Sequence, residues 1–88
     1  MPALSSFYGI IVRMQNETGA VHHKPHIHAV YGDDEIVLTI DGETLEGEFP
    51  NKQLKILQAW IAIHEEELKL NWELLQKGEG YIKIEPLR

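Results

Sequence analysis

The feature that most constrains this fold is a long stretch of helical periodicity, which runs from Lys52 to Lys77. Asn51 precedes it as the expected N-cap, and Gly78 follows it as the expected C′ residue. Unbroken, the 26 residues would measure about 39 Å, longer than a domain of this size is wide. One stripe of this helix carries the residues expected to cover a sheet: Leu54, Leu57, Trp60, Ile61, His64, Leu68, Trp72 and Leu75.

A second apolar line lies beside that stripe and consists of Ile56, Ile63, Leu70 and Leu74. Together the two lines widen the apolar arc to roughly 200°, whereas a surface helix needs a stripe of about 100°. Two explanations compete. The helix breaks near His64–Glu67 and its halves pack differently, or it stays whole and buries the second line against another chain. We favour the second explanation, which predicts a dimer or a heteromeric complex.

The residues before the helix have the composition of short strands separated by turns. Asp41-Gly42 is the clearest hairpin signal, because both residues tolerate positive φ. The predicted strands are Phe7–Met14, His26–Tyr31, Glu35–Ile40 and Glu43–Phe49, with a closing strand at Tyr81–Glu85. We therefore predict one α+β domain over residues 1–88, with an antiparallel meander of about four strands packed on one long C-terminal helix.

Charge is distributed unevenly along the 88 residues, whose net charge is −6. Residues 1–50 hold eight acids against Arg13 and Lys24, whereas residues 51–88 hold six of each sign. Seven of the acids form a stretch without Lys or Arg: Asp33, Asp34, Glu35, Asp41, Glu43, Glu46 and Glu48. Such a surface repels phosphate backbones and attracts basic proteins or cations, so direct nucleic-acid binding is not expected. The alternative interpretation is a solvated, solubilising hairpin.

The histidines are the residues with the clearest chemical potential. His22, His23, His26 and His28 fall within seven residues. On a strand, His26 and His28 project to one face while Ile27 and Ala29 face the core, so two imidazoles could share a divalent transition metal. A third ligand would come from His22, His23, Glu46 or Glu48. The alternative is a pair of polar residues on a solvated strand. His64 lies on the core stripe, where a hydrogen-bonded structural histidine is expected.

Other kinds of site find little support in the sequence. The chain has no cysteine, which excludes disulfides and thiolate zinc sites. Nucleophile-elbow and phosphate-loop glycine patterns are absent, so no catalytic residue is assigned and a binding role is favoured over catalysis. Trp60 and Trp72 are expected to be packing residues. No signal-peptide pattern and no apolar run long enough to cross a bilayer occurs, which favours a cytoplasmic protein without a membrane partner.

Four segments resemble a family of small bacterial proteins, the domain-of-unknown-function family 4160. They are MPALSSFYGIIVRM, KPHIHAVYGDDEIVLTIDGETLEGEFP, LQAWIAIHEEELKLNWELLQKGE and IKIEPL. The most specific parts are Pro25–His28, Leu45–Pro50, and Trp60 and His64 together with Asn71-Trp72. The resemblance implies a bacterial, cytoplasmic protein with no established activity. Members are often encoded beside a second small protein, in pairs that look like toxin–antitoxin modules.

These observations lead to two functional hypotheses. The first is a protein-binding module whose partner is a second copy or the product of the neighbouring gene, with no cofactor. Its expected contact residues are Ile56, Ile63, Leu70, Leu74, Asp33, Asp34, Glu46 and Glu48. The second is a metal-dependent hydrolase or nuclease in which His26 and His28 hold the metal, and Glu46 or Glu48 is a ligand or the base. A DNA-binding regulator ranks last, because no helix-turn-helix or basic stripe occurs.

Overall fold

A computed structural model describes residues 3–15 and 24–87. Within these ranges, five strands precede two helices: β1 Ala3–Phe7, β2 Ile10–Arg13, β3 His26–Tyr31, β4 Asp34–Thr39, β5 Thr44–Gly47, α1 Asn51–Ile63 and α2 Glu65–Gln76. The strands form one antiparallel sheet in the order of the chain. The α+β class and the meander are therefore confirmed. No helix in the described ranges is long and apolar enough to span a bilayer.

The predicted strand Phe7–Met14 is wrong, because a tight turn divides it into two strands. Phe7 pairs with Ile10 across this turn, and Tyr8 and Gly9 between them have φ angles of 48° and 80°. Two consecutive residues with positive φ are the mark of a type I′ turn, whose twist matches that of the flanking strands. The sheet consequently has five strands in the described residues, not the four that were predicted before the helix.

Alternation along the strands separates a core face from an outer face. Val12, Ala29 and Ile36 stand opposite one another on adjacent strands, and all three are buried. The helices cover this face with Leu57, Trp60, Ile61 and Leu68, which belong to the same apolar cluster as the strand residues. The next row of the sheet lies on the outer face and consists of Arg13, His28, Val37 and Glu46.

The predicted single helix over Lys52–Lys77 is also wrong, because it is divided at His64. His64 has φ −109° and ψ 25°, whereas an α-helix has values of about −63° and −42°. The longest extent of the molecule is 34 Å, so an unbroken helix of about 39 Å would project beyond the sheet. Three glutamates open α2, where the positive end of the helix dipole stabilises them.

The two ends of the helical region differ in how well the sequence predicted them. The N-cap is Pro50, not the expected Asn51, and the Pro50 carbonyl accepts the first helical hydrogen bond from Leu54 N. At the other end, Gly78 has φ 71°, and the N–H groups of Gly78 and Glu79 donate to carbonyls of the last turn. This is a Schellman motif, and the prediction of Gly78 as the C′ residue is confirmed.

The predicted closing strand Tyr81–Glu85 is wrong as well. The C-terminal tail, residues 79–87, has no strand assignment. It runs beside β1 and donates one hydrogen bond to it, from Ile84 N to the Leu4 carbonyl at 2.9 Å. Other backbone groups of this tail bind helix side chains, and these contacts leave no room for a regular strand ladder.

Gly47 generates a prediction about stability. Its φ is +82°, and a Cβ at this position would overlap the carbonyl oxygen of Glu35 on β4. We expect Gly47→Ala to lower the free energy of unfolding by about 2–3 kcal/mol or more, because backbone strain and the overlap add. Gly42→Ala is the matched control. Gly42 has φ +92° with open space around it, so a loss of about 1 kcal/mol is expected. Equal losses in urea titrations would contradict a role for the overlap.

Candidate functional site

The histidine pair lies on β3, whose predicted bounds are confirmed. Ile27 and Ala29 are fully buried in the core, and the rings of His26 and His28 lie beside each other with a centroid separation of 5.3 Å. The period of two along a strand therefore predicted correctly that Ile27 and Ala29 face the core.

His26 is nevertheless not on an open surface, contrary to the expectation for the pair. Only 1% of it is exposed, because the ring packs against Trp72 of α2 at a centroid distance of 5.1 Å. Its Nδ1 donates a hydrogen bond of 2.6 Å to the carbonyl of Lys24. Since a carbonyl only accepts, the neutral ring carries its proton on Nδ1 and its lone pair on Nε2.

The proposed third ligands are spread over different parts of the chain. Glu46 lies on the same outer face as His28, with Val37 between them in the row. Glu48 follows β5, and His22 and His23 lie outside the described residues. Within residues 3–15 and 24–87, no three His, Cys, Asp or Glu residues converge as a metal cage.

The acidic stretch forms an exposed border around two hairpin turns and the edge strand. All seven of its carboxylate residues are exposed: Asp33, Asp34, Glu35, Asp41, Glu43, Glu46 and Glu48. Glu43 lies 3.7 Å from Lys24 in a solvent-exposed ion pair. Because β5 is the last strand of the sheet order, this border lies at the edge opposite to β1 and the C-terminal tail.

The second apolar line of the helices divides into inward and outward members. Ile56 packs against the core, and Leu74 is half-buried. Ile63 and Leu70 are 64% and 46% exposed. The structure therefore accounts for Ile56 within one copy but leaves two large aliphatic side chains in solvent.

The C-terminal tail carries two more exposed apolar residues, which sequence reasoning missed. Tyr81 and Ile82 are 44% and 53% exposed, and they were interpreted as part of a strand. Asn71, of which 1% is exposed, holds the tail beside α2. Its Nδ2 donates to the carbonyls of Glu67 and Ile82, and its Oδ1 accepts from Ile82 N at 2.7 Å. We call Ile63, Leu70, Leu74, Tyr81 and Ile82 the helix–tail surface.

Trp60 and His64 support the same arrangement. The indole of Trp60 is fully buried, and its Nε1 donates to the Glu85 carbonyl at 2.9 Å. The half-buried ring of His64 lies 5.4 Å from that indole, and its Nδ1 lies 2.6 Å from Oε1 of Glu67. His64 is therefore hydrogen-bonded, as expected, but at the helix break. The available sequence signal for the tail was Asn71, an amide residue between the two apolar lines of the helical region.

Two depressions of the surface do not include the histidine side chains, although the second is lined by Pro25 and by Thr39, the cross-strand partner of His26. An open depression of about 260 Å³ separates the Asp41-Gly42 turn from α1. A neighbouring one of about 290 Å³ is lined by Pro25, Ile40 and Lys69 among others. Neither His26 nor His28 lines them, so these depressions do not combine with the histidines into a catalytic cleft.

Comparisons with known proteins add one finding. The family model described as Domain of unknown function (DUF4160) matches residues 9–73. The match contains Pro25–His28, Leu45–Pro50 and the helix residues up to Glu73, and it ends before the C-terminal tail. No curated protein and no solved structure matches the chain.

Removal of the Asn71 amide tests whether it holds the tail. We expect Asn71→Leu to lower the free energy of unfolding by about 2–3 kcal/mol, because the two Ile82 backbone groups lose their partner. Amide hydrogen exchange at Ile82 and Ile84 should accelerate. Gln58→Leu is the control, since it removes one exposed amide hydrogen bond to the Gly42 carbonyl and should change stability by less than about 0.5 kcal/mol. Unchanged exchange in Asn71→Leu would contradict this role.

Proposed function

The chain belongs to the DUF4160 family of unknown function, and from that membership we propose that it is a protein-binding module of a two-gene system. The system would be of the toxin–antitoxin kind, in a bacterial cytoplasm, with this chain as a non-catalytic component. The observation that carries the proposal is the helix–tail surface, where large apolar side chains remain in solvent although the core is already closed.

The composition of the helix–tail surface supports a protein contact. Five large hydrophobic residues are exposed in the described ranges, and all except Tyr8 belong to this surface. Single exposed apolar residues are ordinary, whereas a group of them held beside a rigid element is typical of interaction sites. Asn71 and Trp60 order the tail before any partner arrives, so little entropy is lost when the surface is covered.

The charge of the molecule supports a basic partner. The exposed acidic border attracts cationic proteins and repels nucleic acid, and it would raise the rate of encounter with a basic, RNA-facing protein. The net charge of −6 suits this chain to the role of the acidic component that covers such a partner. In this arrangement the border selects the partner, while apolar contacts supply most of the affinity.

Co-expression with the product of the adjacent gene tests the proposal. We expect the two proteins to co-purify, and Ile63→Glu or Leu70→Glu to weaken the complex at least roughly tenfold, because a carboxylate would be buried in an apolar contact. Tyr8→Asn is the matched control, since it removes an exposed apolar residue outside the surface, and Asn tolerates the positive φ there.

Circular dichroism of each variant shows whether the fold is retained. The proposal is wrong if folded Ile63→Glu and Leu70→Glu proteins bind as the unchanged chain does and the chain is also monomeric alone.

A metal-binding role is the second candidate, and the orientation of His26 favours it. A histidine that ligates a metal commonly donates its other ring N–H to a backbone carbonyl, as His26 does to Lys24. The ligands would be His26 and His28, with Glu46 or Glu48 completing the site or serving as base on a bound water.

Elemental analysis decides this second candidate. Protein purified without chelators from zinc- and manganese-replete medium should retain about one metal ion per chain, and His28→Ala should lose it while the fold is kept. His26→Ala is the second variant, with unfolding expected because the ring is packed against Trp72. If the unchanged chain contains no metal under these conditions, the metal-binding role is excluded.

A further inference from the structure

We propose that the helix–tail surface binds a second copy of this chain, with the two α2 helices side by side and antiparallel. This inference rests on the proposed function, because it names the occupant of the same surface. It leaves the acidic border of each copy facing outward, where the basic partner binds, so Ile63→Glu and Leu70→Glu would weaken that complex by separating the dimer.

The balance of charge favours a second copy at this surface. A symmetric dimer places one patch against the same patch, so a patch of one sign would repel itself. Residues 1–50 carry eight acids and two bases, whereas residues 51–88 carry six of each. The helices and the tail therefore form the half of the chain that two copies can bring together without net repulsion.

The order of charges along α2 specifies the antiparallel arrangement. Glu66, Lys69, Glu73 and Lys77 are exposed and follow one another along one flank of the helix. Read in reverse, the same flank presents Lys, Glu, Lys and Glu. An antiparallel neighbour therefore places Glu66 beside the second copy's Lys77, and Lys69 beside the second copy's Glu73. A parallel neighbour would place like charges together.

The apolar residues next to this flank lie in the same contact. Leu70 follows Glu66 by four residues and precedes Leu74 by four, so both leucines lie along one side of α2. In the antiparallel pair they meet their counterparts, and Ile82, held by Asn71, borders the contact. The two opposed helix dipoles also attract each other weakly.

Two charge variants of the full chain test this arrangement. The acidic-flank variant combines Lys69→Glu with Lys77→Glu, and the basic-flank variant combines Glu66→Lys with Glu73→Lys. All four positions are exposed. The ion pairs of Lys69 with Glu65 and Glu66 on its own helix are also solvent-exposed and contribute little to stability, so both variants should fold. In sedimentation equilibrium at low salt, we expect the unchanged chain to be a dimer and each variant alone to dimerise at least roughly tenfold more weakly.

The mixture of the two variants is the decisive sample. In an antiparallel pair, each carboxylate of one variant faces an ammonium group of the other, so the mixture should form heterodimers about as tightly as the unchanged chain. A mixture that associates no better than either variant alone overturns the antiparallel arrangement, as does a monomeric unchanged chain at about 1 mM. Tyr8→Asn should dimerise normally, and Leu70→Glu should be monomeric.

The outcomes also separate this inference from the proposed function. If the unchanged chain is monomeric but Leu70→Glu prevents binding of the neighbouring gene's product, the surface serves a different protein. The dimer is then overturned and the proposed function stands. If the chain is monomeric and Leu70→Glu has no effect on that complex, the dimer and the proposed role of the helix–tail surface are both wrong.

Discussion

The buried amide of Asn71 is the interaction on which the functional surface depends. It occupies both backbone groups of Ile82 and the carbonyl of Glu67, so a tail that makes one backbone hydrogen bond to β1 among the described contacts still has a defined course. A buried amide of this kind is stabilising only when its donors and acceptors are all satisfied. Here that requirement fixes the tail beside α2, and Tyr81 and Ile82 of the tail remain exposed.

The molecule separates two kinds of surface at opposite edges of a small sheet. The edge at β5 carries the acidic border. The C-terminal tail lies beside β1 at the other edge, and the exposed apolar residues belong to the tail and the helices. A chain of this size buries a small core, and its core face is already covered by Leu57, Trp60, Ile61 and Leu68. Apolar residues beyond that requirement are available for a partner, and the charges around them determine which partner fits.

Residue patterns along the sequence predicted those elements in which the locally preferred backbone conformation agrees with the one that tertiary contacts favour. The bounds of β3 and the Schellman ending at Gly78 follow from alternation and positive φ alone. The turn at Asp41-Gly42 was also placed correctly, although only Gly42 of the two residues has a positive φ. The predictions failed where distant contacts decide. Tyr8 adopts a positive φ because the Phe7–Ile10 pair closes there. The YIKIE segment alternates like a strand, but helix side chains take its backbone groups. His26 was expected on the open face of the sheet, but Trp72 packs against it and buries it, and this contact has no signature in the strand itself.

The sequence by itself determined the class of fold, the acidic border, the face of each strand residue and the excess of apolar surface on the helical region, because these properties depend on periodicity and composition. Only the tertiary structure decided which apolar residues remain outside. That outcome depends on the break at His64 and on where Asn71 and Trp60 place the tail. The placement of the tail results from contacts between residues 11 and 25 positions apart in the chain. Periodicity describes neighbours along one element, whereas exposure depends on how separate elements meet.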